Sequence, residues 1–76
     1  MARGDYQVFE DAGRWKVRHG ENAISFATPR AALSAAIDAA NEAGKRGFGG
    51  RVMVQTEDGQ WRQTWAYGQA LPSLAA

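Results

Sequence analysis

Only one stretch of this chain has the period of a helix, and it lies between two blocks that alternate with the period of a strand. Leu33, Ala36, Ile37 and Ala40 follow the i, i+3, i+4, i+7 spacing, while Arg30, Ser34, Asp38, Asn41 and Glu42 take the wet side. Thr28 is a good N-cap and Pro29 suits the first helical position, where an amide hydrogen has no partner to lose, so the helix is predicted from Pro29 to Ala43 with Gly44 as its stop. A single helix shelters one face of a sheet and leaves the other bare. Because much of its apolar stripe is alanine, its axis can approach the sheet closely.

The flanking blocks supply about five strands. Tyr6–Glu10 and Trp15–Arg18 read as a hairpin around a loop at 11–14, a register that sets Val8 opposite Val17 and Glu10 opposite Trp15. A loop one residue shorter would set Val8 against Lys16, so the first register is preferred. Tyr6, Val8, Trp15 and Val17 then face inward. A turn at His19–Asn22 leads to a third strand, Ala23–Ala27, with Ile24 and Phe26 inward. After the helix comes a glycine-rich connector, Lys45–Gly50, and then Arg51–Thr56 and Trp61–Ala66 joined through Asp58-Gly59, a strong hairpin signal. A two-residue turn there pairs Val52 with Trp65, Val54 with Gln63 and Thr56 with Trp61. It also places the Gln63 amide inside, where it needs partners, so a three-residue turn with a glycine bulge remains the alternative. The predicted fold is α+β: an antiparallel sheet in the order β-β-β-α-β-β, with one helix on one face, in two layers. Residues 67–76 form a tail held through Tyr67 and Leu71.

At 76 residues the chain is one small domain, and its core depends on large rings: three Trp, three Phe and two Tyr. With no cysteine, neither disulfides nor thiolate metal sites are available, and dimerisation becomes a natural supplement to a small core. No apolar run reaches the ~20 residues that span a bilayer, and the Met-Ala-Arg-Gly-Asp start has no signal-peptide core, so the expected setting is the cytoplasm without a membrane partner. A net charge of +1 excludes coating of nucleic acid by bulk charge. Any anion binding must come from segregated charge.

Tyr6-x-Val8, Gly13-x-Trp15, the Thr28 start of an alanine-rich helix, Asp58-Gly59 and Tyr67-Gly68 occur in an order that resembles a small prokaryotic family, domain of unknown function 2188. The resemblance covers nearly the whole chain. It implies the fold and transfers no activity and no site residues.

The residues offer little catalytic chemistry. His19 is the only histidine, a general base needs an orienting partner and a substrate pocket, and the nearby Glu21 supplies at most a turn neighbour, so a strand-end role is expected. Asp11, Glu57 and Asp58 lie in different turns without calcium-loop spacing. Gly47-x-Gly49-Gly50, flanked by Lys45, Arg46 and Arg51, resembles a phosphate cradle in composition, but it follows a helix and precedes a strand, the reverse of phosphate-binding loops. Trp61 and Trp65 are assigned to the core. No enzyme, metal or cofactor is expected. The outward face is different. Gln7, Phe9, Lys16, Arg18, Ser25, Arg51, Met53, Gln55, Arg62 and Thr64 give it four cations and no carboxylate. That pattern suits a nucleic-acid module in which Lys16, Arg18, Arg51 and Arg62 meet phosphates and Phe9 stacks or wedges. The alternative is a protein-interaction or homodimerisation module working through the open face or an edge strand.

Overall fold

The computed structural model describes residues 5–70. Strands β1 (Asp5–Asp11), β2 (Arg14–His19) and β3 (Asn22–Phe26) precede helix α1 (Pro29–Lys45), and β4 (Arg51–Gln55) and β5 (Trp61–Ala66) follow it. The five strands form one sheet in the order β3-β2-β1-β4-β5. The α+β, two-layer expectation holds, and three of the four strand pairs are antiparallel. The central pair, β1 with β4, is parallel and corrects the expectation of a wholly antiparallel sheet. Its cause is topological. One helix carries the chain back along the sheet, so β4 runs in the direction of β3 and therefore of β1.

The first hairpin keeps the expected register, Val8 opposite Val17 and Glu10 opposite Trp15, but its strands extend to an Asp11–Arg14 pair. Only Ala12 and Gly13 are left to turn, both at positive φ (54° and 81°), the signature of a type I′ turn. The helix begins where predicted: Thr28 is extended, and its Oγ1 accepts from the Ala31 amide at 3.1 Å. It runs past Gly44, however. Phe48 N donates to Ala43 O (2.9 Å) and Gly47 N to Gly44 O (3.0 Å), a Schellman cap with Gly47 at φ 86°. Gly44 serves packing instead of termination. A Cβ there would lie 2.1 Å from Tyr67 Cγ.

Val8, Val17, Ala32, Ala36, Ile37, Ala40, Val52 and Trp65 make the buried core, with Tyr6, Trp15, Phe26, Leu33 and Val54 packed around it. Alanine lets the helix lie close over β1 and β2. An apolar groove of about 220 Å³ lies between the helix, at Ala35 and Ala39, and β3, at Ile24 and Phe26. Ile24 is thus on the inward side as expected, opposite Val17, yet 62% exposed because, among the described residues, the helix does not reach over it. Of the tail, Tyr67 lies against Gly44, and Ala70 O accepts from Trp65 Nε1 (3.1 Å). The expected anchor Leu71 falls outside the described residues.

Candidate nucleic-acid interface

Pairing fixes which side chains share the face away from the helix. Asp5, Gln7, Phe9 and Asp11 come from β1, Arg14, Lys16 and Arg18 from β2, Ala23 and Ser25 from β3, and Arg51, Met53 and Gln55 from β4. Lys16, Arg18, Arg51 and Phe9 therefore do share the open face, as the sequence predicts. The face is not free of carboxylates, contrary to expectation. β1 extends one residue beyond its predicted span at each end, and both added residues, Asp5 and Asp11, have the parity of Phe9. Asp5 receives two bonds from Arg51, Nη2 at 2.8 Å and Nε at 3.3 Å, and Asp11 pairs with Lys16 Nζ at 3.0 Å. The bond to Asp5 is the main influence raising the Arg51 pKa above its ordinary value, with Coulomb attraction adding to it. Two of the nominated cations are thus committed to carboxylates.

Arg62 is the second correction. Val52 pairs with Trp65 as expected, but the ladder shifts at Val52/Met53, so that Met53 faces Gln63, Val54 faces Arg62 and Gln55 faces Trp61. Thr64 is the extra residue of a β-bulge. The shift moves Arg62 to the helix side of the sheet, beside Val54. Trp61, assigned to the core from the sequence, moves to the open face. The physical reason is the Gln63 amide, which uniform alternation would bury opposite Val54 at a cost of about 1–3 kcal/mol. The bulge releases it to solvent.

Trp61 arrives next to Phe9. Their rings meet edge to face, with centroids 6.3 Å apart and planes at 70°. Arg18 completes the cluster: its guanidinium carbon sits 5.2 Å from the Phe9 centroid, and its Nε donates to Gln7 Oε1 at 2.9 Å. Among the described residues no carboxylate bonds to Arg18. The face therefore carries an aromatic pair with a cation held over one ring, flanked by Arg14, two ion pairs and the amides of Gln7, Gln55 and Gln63.

The other candidates resolve structurally. Gly47 is spent on the helix cap. Gly50, at φ 74°, lies so close to Ala40 that a Cβ would come 2.1 Å from its carbonyl oxygen. These geometries account for both glycines without an anion. His19 stacks on Tyr6 with centroids 4.2 Å apart, on the wall of the groove beside β3. Asp58 accepts from the Thr56 hydroxyl and from the Gln60 amide (3.1 Å), and those bonds, the Thr56 bond foremost, hold its carboxyl below the ordinary range. Among the described residues no group of three or more His, Cys, Asp or Glu could hold a metal ion, and no helix is long and apolar enough to cross a membrane.

These features define a small α+β module: one helix, a five-stranded mixed sheet, and an open face that, among the described residues, combines aromatic rings with four cations, two of them paired to carboxylates. The chain belongs to the bacterial family described as "Uncharacterized protein conserved in bacteria (DUF2188)", whose model matches residues 6–67. No curated protein and no solved structure matches it.

Proposed function

We propose that the protein is a non-enzymatic module that binds single-stranded nucleic acid across the open face of its sheet. The observation that carries this reading is the Phe9–Trp61 pair with Arg18 over the Phe9 ring. Base stacking on aromatic rings contributes about 1–3 kcal/mol per base and tolerates any sequence, because every base has a π-face. Phe9 keeps the stacking role the sequence suggests for it, and Trp61 joins it. Arg18 and Arg14 are the phosphate-facing cations. Lys16 and Arg51 lie on the same surface but must first leave Asp11 and Asp5. Arg62, on the helix side, has no part in the site.

The charge balance makes the reading quantitative. With about two phosphates neutralised and a slope near −0.7 per phosphate, affinity falls about sevenfold between 50 and 200 mM salt. Recruitment of all four face cations would give a fall of about fiftyfold by the same relation. The test is titration of fluorescently labelled oligothymidylate, oligouridylate and a DNA duplex at low salt. Single strands are expected to bind in preference to duplex, and Trp61→Ala or Phe9→Ala to weaken binding about tenfold or more. Absence of binding at tens of micromolar protein, or equal affinity of the Trp61→Ala variant, overturns the proposal.

A further inference from the structure

The two edges of the sheet are built differently. β5 carries the bulge at Thr64 and a charged side chain, Arg62, and the chain turns back beside it at Tyr67–Ala70. Bulges and charges are the usual means of keeping an edge from pairing with another strand. β3 has neither. From Asn22 to Ala27 it contains no charge and no proline, its ladder with β2 is regular, and Ile24 at its centre is 62% exposed on the wall of the apolar groove.

The backbone phase of that edge follows from its turn. His19 and Asn22 flank the two-residue turn Gly20-Glu21, with Gly20 at φ 63°, so they form the hydrogen-bonded pair that closes the hairpin. Alternation then points the amide and carbonyl groups of Ile24 at β2 and those of Ala23 and Ser25 at the open edge.

We infer that β3 is a dimerisation strand whose partner is β3 of a second copy of this chain, antiparallel about a two-fold axis at Ile24. In that register Ala23 of each copy exchanges backbone hydrogen bonds with Ser25 of the other, and Ile24 meets Ile24 in a non-hydrogen-bonded pair, the closely spaced kind with Cα atoms about 4.5 Å apart. The two exposed isoleucines cover each other and close the groove ends. No like charges oppose one another along the strand. Glu21 of one copy comes to the start of the other copy's helix, whose first turn contains no acidic residue and whose dipole favours one. A second copy fits this edge because the strand is uncharged and complementary to itself in phase and apolar placement. The inference stands independently of what the open face binds.

The chain's lack of cysteine allows a register-specific test. Ile24→Cys is expected to form an intermolecular disulfide under mild oxidation, because the two-fold axis sets residue 24 against itself within the Cα separation of about 4.4–6.8 Å that a disulfide needs. Ala23→Cys and Ser25→Cys, each facing a different residue of the partner, are expected not to cross-link. Sedimentation velocity of the unmodified chain should show a concentration-dependent dimer. Ile24→Lys should raise its dissociation constant about a hundredfold or more through like charges at the axis, with an unchanged circular dichroism spectrum, since Ile24 is exposed in the monomer. A monomer at every attainable concentration, a dimer that persists in Ile24→Lys, or equal cross-linking of all three cysteine variants overturns the inference.

Discussion

Ala12 turns the first hairpin at φ 54°, a left-handed conformation that costs a residue with a Cβ about 1 kcal/mol. Replacement by Asn, which tolerates that region and precedes Gly13 as in the best type I′ turns, should stabilise the protein by about 0.5–1 kcal/mol, read as an upward shift of the urea midpoint. Gly44 has the opposite sign. Alanine in a helix normally gains up to about 1 kcal/mol over glycine. Here the added methyl collides with the Tyr67 ring, and overpacking of about 1–3 kcal/mol outweighs the propensity gain. Gly44→Ala should therefore destabilise, and the loss should shrink in a Tyr67→Ala background when the double-mutant cycle is measured by denaturation. Asp58 adds a pH dependence. Its folded pKa is depressed, so its contribution is present above the unfolded value and disappears as pH falls through the folded one. Asp58→Asn should lower the urea midpoint at neutral pH, and the gap from the parent should narrow below about pH 4.

At the level of elements, the helix was the most legible part of the sequence. Thr28-Pro29 and the alanine stripe carry local signals that no distant contact overrides, and Thr28→Ala should cost about 1 kcal/mol by leaving the Ala31 amide without its acceptor. Thermal melting of that variant provides the measurement. Its C-terminus was harder to read because Gly44 and Gly47 both offer a stop, and only Tyr67, distant in sequence, explains why the earlier glycine sits inside the helix. β5 shows the limit of alternation. Trp61, Gln63 and Trp65 share a parity, and that rule sends all three inward. The discordant amide between the two tryptophans was the available sign of a break, and the bulge places Trp61 with Phe9 as a result. Asp11 was missed for a related reason: Asp-Ala-Gly-Arg looks like a loop in which all four residues turn, whereas Ala12-Gly13 suffices.

Over the whole molecule, composition and order gave the two-layer fold, and the β-β-β-α-β-β order already held the parallel pair. After an up-down-up meander and one returning helix, β4 can join either outer strand only in parallel, unless β5 is inserted between them. Charge was the property read least well. The net value of +1 hides a surface on which Asp5 and Asp11 restrain Arg51 and Lys16. Replacing both acids by Asn takes the net charge from +1 to +3, since two negative charges are removed. The double variant should bind single strands more tightly at low salt and steepen the salt dependence toward the fiftyfold fall of four phosphates. The parallel pairing also has a kinetic consequence. β1 is synthesised well before β4, so one of its flanks waits for a strand more than forty residues later in the chain. Until β4 has docked, one flank of the central strand β1 is unpaired beside Val8, so the incomplete meander is where premature association would act.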